Sequence, residues 1–144
     1  MSAMSNYLEN KLIDQRFRGQ TAPATSTLYV GLLTSAPSDA GGGTEVSGGA
    51  YARVATASSL ANWAGTQAAG SSTASSGTGG QTSNNAAITF PTPTAGWGTV
   101  THFGIYDAAS GGNLLFHGAL TIAKTINQAD TVTFPAASLS VTFA

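Results

Sequence analysis

Short alternating segments separated by turn residues occupy most of the chain after residue 27, and this pattern limits the fold more than any other feature. β-Branched and aromatic residues alternate with small or polar ones in residues 28–33, 51–55, 87–90, 97–106, 114–120, 131–134 and 139–143, with residues 60–63 as a further short candidate. No helical spacing separates these segments, so parallel crossover units are not expected. The sequence predicts seven or eight strands in an all-β antiparallel β-sandwich, with a jelly-roll-like arrangement favoured.

One amphipathic helix is predicted before the strands. Asn6 is the expected N-cap, with Glu9 three residues later as in a capping box, and Gly19 is the expected C-terminal glycine. The apolar residues assigned to one side are Leu8, Leu12, Ile13 and Phe17. A helix of about 13 residues is marginal in isolation. Its apolar side is therefore expected either to dock on the chain's own sheet or to reach a neighbouring subunit.

The chain is predicted to divide into a helical arm and one larger domain. Residues 1–19 form the arm, and residues 20–144 form a single β-sandwich domain. Residues 65–85 carry no charge and no side chain larger than Gln, which predicts a flexible Gly/Ser/Thr loop inside that domain.

Charge is scarce and excludes several classes of function. The 144 residues include five basic and six acidic ones, 8% of the chain, for a net charge of -1. This balance provides no basis for binding nucleic acid or an anionic membrane. No apolar run is long enough to span a membrane, no secretory signal is expected, and no cysteine is present. Because little charge keeps copies apart, the surface is expected to associate with other subunits, copies of itself included.

Candidate catalytic and metal-binding residues are few. His102 and His117, with Asp107, are the possible components of a metal site, but hydrogen-bonded structural histidines are the favoured interpretation. The acids after residue 19 fall in or beside turns, where carboxylates commonly bind backbone N–H groups. No nucleophile elbow or phosphate loop is present. We therefore expect no catalytic residue, no metal and no cofactor.

Two further sets of residues are candidates for structural roles. Glu45 and Arg53 flank a Ser-Gly-Gly turn and are expected to pair across it, which would hold the loop if the pair is partly buried. The larger aromatic residues offer either a sugar-binding platform or core and interface contacts, and the second is favoured: they are Tyr29, Tyr51, Trp63, Trp97 and Tyr106.

Several stretches together resemble a known family. They are residues 4–14, 28–32, 43–54, 97–107 and 112–116, and the resemblance spans most of the chain outside residues 65–85. The combination is similar to small virion proteins of tailed bacteriophages, described as tail-fibre-like, some of which are capsid cement or decoration proteins. These motifs are structural and identify no catalytic residue.

The resemblance implies a non-enzymatic virion structural protein. The first expectation is a cement protein that binds and stabilises the assembled shell, with the major capsid protein and copies of itself as partners. It would assemble in the host cytoplasm and lie on the capsid surface rather than the tail. The alternatives are a tail or fibre-tip protein that contacts the host surface, and a metal-dependent enzyme using His102 and His117. The contact residues expected on the helix are Leu8, Leu12, Ile13, Arg16 and Phe17.

Overall fold

The computed structural model describes residues 2–22 and 25–143, which form one helix and nine strands. The helix is α1 (Asn6–Phe17). The strands are β1 (Ser2–Met4), β2 (Thr27–Leu33), β3 (Val54–Ala57), β4 (Gln81–Ser83), β5 (Ile88–Thr89), β6 (Gly98–Tyr106), β7 (Leu114–Ile126), β8 (Thr133–Phe134) and β9 (Ser140–Thr142). Every strand pairing is antiparallel.

The strands pack as a sandwich around one core. A five-stranded sheet has the order β1-β7-β6-β2-β3, and the pairs β4-β9 and β5-β8 face it. Side chains of the large sheet, such as Leu32 and Phe103, share the core with Ile88 and Val141 from the pairs and with Leu139, which precedes β9. The all-β antiparallel sandwich after one N-terminal helix is therefore confirmed.

An irregularity in β6 changes which residues face the core. Strict alternation predicts that Val100 shares a face with His102 and lies opposite Phe103. Val100 is instead buried in the same core as Phe103. The pairing moves from Val100–Lys124 to His102–Ala119, which places three additional residues in β7. The regular register with β7 breaks between these positions, and alternation need not continue across such a break, so Val100 and Phe103 both face the core.

Several predicted boundaries shift. The second predicted strand, residues 51–55, begins at Val54, and residues 60–63 form a turn with one bridge from Trp63 to Asn84. The predicted loop over residues 65–85 contains β4, which pairs with β9. The sequence did not predict β4 because its pairing partner lies about 60 residues further along the chain, and the Gly/Ser/Thr tract itself shows no strand alternation. The flexibility of residues 65–80 stays a prediction.

The N-cap of α1 is Ser5 rather than Asn6. The Leu8 N–H donates to Ser5 Oγ at 3.3 Å, and the Ser5 hydroxyl donates to the carbonyl of Leu114 on β7. The buried Ser5 therefore caps the helix and attaches it to the sheet. Gly19 has a φ of 65°, the left-handed C-terminal conformation that the sequence predicts. Before the helix, β1 extends the large sheet by pairing with β7.

The apolar residues of α1 divide between two faces. Leu8 packs against the core and Leu12 is half-buried, but Ile13 and Phe17 are exposed. The prediction that all four share one side is wrong, because nine positions at about 100° each place Phe17 opposite Leu8. We call Ile13 and Phe17 the outer face of α1. No helix in the described part of the chain has the length and apolar character needed to cross a membrane.

Candidate functional site

Arg53 lies at the centre of a cluster of interacting side chains with Glu45, Tyr51 and Tyr106, which we call the arginine cluster. Its Nε donates to Glu45 Oε1 and its Nη2 to Glu45 Oε2, both at 2.7 Å. The Arg53 side chain is 6% exposed and that of Glu45 27%. The structure therefore places this sequence-predicted pair in a bidentate, largely buried ion pair, the strongest geometry for a guanidinium and a carboxylate.

Arg53 also holds the loop between β6 and β7. Its Nη1 donates to the carbonyls of Ala108 and Gly111 at 2.8 and 2.9 Å. Its guanidinium lies over the Tyr106 ring, 3.4 Å from the ring centroid. The Arg53 side chain makes all of these contacts within the chain. They fix the position of the β6–β7 loop, which lies more than 50 residues away in the sequence.

Tyr51 connects the arginine cluster to the core. Its hydroxyl donates to Glu45 Oε1 at 2.8 Å and accepts the N–H of Leu32 at 2.9 Å. Its ring contacts Trp97 edge to face, with the ring centroids 5.3 Å apart. Burial strongly raises the pKa of Tyr51, and the negative charge of Glu45 raises it further. Burial likewise raises the pKa of Tyr106. The Tyr51 hydroxyl is therefore held neutral as a hydrogen-bonding group.

Two paired glycines make room for this cluster. Gly31 on β2 lies opposite Gly104 on β6. A Cβ on Gly31 would lie 2.9 Å from Glu45 Oε1, and a Cβ on Gly104 would lie 2.7 Å from the Tyr106 ring. Any side chain at either position would displace the cluster.

Alkaline pH is expected to destabilise the fold through Tyr51. Its pKa is raised in the folded state, so the unfolded chain loses this proton first, from about pH 10 upward. The stability present below that pH is lost as the pH rises, by at most about 1.4 kcal/mol per pH unit for this group. Denaturant unfolding between pH 8 and pH 11 should show the decline, and Tyr51→Phe should make it shallower. An unchanged slope in the variant would contradict this assignment.

The two histidines have separate structural partners. His102 Nδ1 lies 2.8 Å from the Thr101 hydroxyl, and His117 Nε2 lies 3.1 Å from Asp39 Oδ1. Asp107 accepts the backbone N–H and the side-chain amide of Asn113, both at 2.7 Å, as the turn interpretation predicts. Within residues 2–22 and 25–143, no group of three or more metal-ligating side chains lies close enough to hold an ion.

The five aromatic residues considered as a sugar platform do not share one surface. Tyr51 and Trp97 pack with Phe90 in one group. Tyr106 is covered by Arg53, and Trp63 lines a separate apolar slot. Most of these rings therefore serve packing within the chain.

The residues predicted to make intersubunit contacts on α1 have different environments. Leu8 is half-buried against the core and Leu12 is half-buried, whereas Arg16 is exposed. Ile13 is 50% exposed and Phe17 is 85% exposed. The outer face and Arg16 are therefore the most exposed of these five residues.

Sequence reasoning did not identify Asn84, which is fully buried. Its side-chain amide donates to the carbonyls of Ala86 and Pro135 at 2.8 Å, and its Oδ1 accepts the N–H of Leu139 at 2.8 Å. Asn84 thereby joins the end of β4 to the loop before β9. Its place in a Gly/Ser/Thr tract concealed it, since a buried Asn and a loop Asn look alike in sequence.

The comparison with known protein families identifies the chain as a phage protein. Residues 3–142 match the family described as podophage GP4 fiber I protein gp80. The chain belongs to this fiber I family. Membership confirms the sequence-based identification of a phage virion structural protein of tail-fibre type. A search of curated proteins found no match.

Proposed function

We propose that this fiber I family chain is a non-enzymatic subunit of a podophage fibre, attached to neighbouring virion subunits through the outer face of α1. The observation that carries the proposal is the exposure of Phe17 and Ile13 on a helix whose opposite face already packs on the sandwich. The family description, podophage GP4 fiber I protein gp80, supports the proposal of a fibre subunit.

Burial of the outer face would stabilise attachment to another subunit. Phe17 and Ile13 lie one helical turn apart, so they form one apolar patch. Burying a large apolar side chain gains about 1.5–3 kcal/mol. The net charge of -1 adds little repulsion between copies or between this chain and other virion subunits. Association through this patch is therefore expected to depend only weakly on salt.

A structural rather than catalytic role fits the use of the acidic side chains. Glu45 binds Arg53 and Tyr51, and Asp107 binds the turn at Asn113. Asp130 accepts the N–H of Asn127 at 2.7 Å. Each of these carboxylates already binds a backbone N–H group or a buried cation, which is a structural role.

A cement protein on the capsid surface is the second candidate. Two observations favour it. The residues that match the family, 3–142, fold as one small sandwich with its helix, and the sequence has no internal repeat from which a fibre shaft would be built. In that case the major capsid protein would cover the outer face, and binding only the assembled shell would stabilise it.

Antibody labelling of intact virions distinguishes the two candidates. Gold particles directed at the chain should appear at the tail if it belongs to a fibre. Labelling spread over the head lattice would support cement and would overturn the fibre proposal.

The double substitution Ile13→Lys and Phe17→Lys is expected to abolish incorporation into virions while leaving the fold intact. The two lysines remove the apolar patch, and cations near a helix C-terminus do not destabilise the helix. The matched control, Asn10→Lys with Gln15→Lys, adds the same charge at other exposed positions of α1. Immunoblots of purified particles measure incorporation, and thermal unfolding measures the fold. Normal incorporation of the Ile13/Phe17 variant would rule out the outer face as the attachment surface.

A further inference from the structure

A polar pocket of about 290 Å³ lies beside the first turn of α1, at the opposite end of the helix from Phe17. Three segments form it: the start of α1, the turn at residues 39–42 and the end of the β6–β7 loop. The side chains that can bind a ligand there belong to Asn6, Tyr7, Asp39, Tyr106 and Asn113.

One wall of the pocket is held by the arginine cluster. Arg53 binds the carbonyls of Ala108 and Gly111, and Asp107 binds Asn113 through both its backbone and its side-chain amide. Gly112 and Asn113, which line the pocket, are therefore fixed by buried or half-buried charged groups. Such preorganisation reduces the entropic cost of ordering the loop when a ligand binds.

The opposite wall is held by His117. The buried His117 ring lies 3.1 Å from Asp39 Oδ1, and the N–H of Asn6 donates to the carbonyl of Asp39 at 2.9 Å. These contacts leave the second carboxylate oxygen of Asp39 outside the His117 contact, on a side chain that is 57% exposed. His117 and the N–H of Asn6 therefore hold the turn in position, while the Asp39 carboxylate remains exposed to solvent.

We propose that this pocket binds one ring of a neutral saccharide. Asp39 is a strong acceptor for sugar hydroxyls, the amides of Asn6 and Asn113 supply both donors and acceptors, and Tyr7 supplies apolar ring surface. The described lining includes no Lys, Arg or His side chain, and the Asp39 charge disfavours an anion. A neutral polyhydroxyl ring is the ligand class that matches this set. The inference concerns the isolated chain and does not depend on where the chain lies in the virion.

The test is a titration of the purified protein with a panel of neutral methyl glycosides, observed by NMR. The panel contains glucose, galactose, mannose, N-acetylglucosamine and rhamnose, with inorganic phosphate as the anionic comparison. We expect at least one glycoside to shift the resonances of Asn6 and Asn113, and Asp39→Asn to weaken its binding about tenfold or more, as for loss of a charged hydrogen bond.

Matched variants separate recognition from folding. Asp39→Asn keeps an oxygen for His117, and Asn6→Ala removes an exposed amide that supports no described contact of its side chain. Asp130→Asn is the control, because Asp130 is also a turn carboxylate but does not line the pocket. The proposal is overturned if no glycoside in the panel binds, if phosphate binds in preference, or if Asp39→Asn and Asn6→Ala bind as tightly as Asp130→Asn does.

Discussion

Arg53→Met is expected to lower the free energy of unfolding by about 3–5 kcal/mol, since breaking a buried ion pair leaves its partner charge uncompensated. Glu45, whose side chain is 27% exposed, would lose its bidentate partner, and the carbonyls of Ala108 and Gly111 would lose their donor. Urea or guanidinium unfolding followed by circular dichroism measures the change. The β6–β7 loop should also become accessible to proteases, because Arg53 fixes it.

Two comparisons test the physical cause. Arg18→Met removes an exposed ion pair with Asp14 and should change stability by less than about 0.5 kcal/mol. Arg53→Met combined with Glu45→Gln leaves no unpaired buried charge and should be less destabilised than Arg53→Met alone. If Arg53→Met behaves like Arg18→Met, the arginine cluster does not stabilise the fold.

Asn84→Ala should have an effect of similar size, about 3–5 kcal/mol. The fully buried amide joins three backbone groups, those of Ala86, Pro135 and Leu139. Each buried polar group left without a partner costs about 1–3 kcal/mol. Because β4 and β9 pair next to this residue, hydrogen exchange of β9 amides should rise together with the loss of stability.

Asn62→Ala provides the matched control for Asn84. Asn62 makes one amide hydrogen bond, to the carbonyl of Ala57 at 3.1 Å, at the surface. Its loss should change the free energy of unfolding by about 1 kcal/mol or less. Equal effects of the two substitutions would show that residues 81–84 are not an ordered part of the sandwich.

The fold class follows from sequence because local alternation and turn residues determine strands without reference to their partners. The face to which each side chain points is less predictable, as Val100 shows. The register shift that places it in the core depends on how β6 pairs with β7, and the sequence of β6 alone does not contain that pairing. The N-cap differed by one residue because Ser5 and Asn6 are both good caps. Attachment of Ser5 to Leu114 on β7 selects between them.

The candidate site was predictable only in part. Opposite charges eight residues apart across a Gly-Gly turn indicate the Glu45–Arg53 pair, since both ends of a tight turn come close together. The contacts from Arg53 to the loop at Ala108, and from His117 to Asp39, join residues more than 50 positions apart. Such contacts are set by the strand order, which spacing in the sequence does not reveal. The polar pocket depends on both and therefore emerged only from the structure.

The most direct test of attachment through α1 is an electron cryomicroscopy reconstruction of the virion at a resolution that shows side chains. The account predicts that the sandwich fits density in a tail fibre and that Ile13 and Phe17 lie buried against another subunit. Density for the sandwich on the tail with this face of α1 in solvent, or particles that lack the chain altogether, would contradict it.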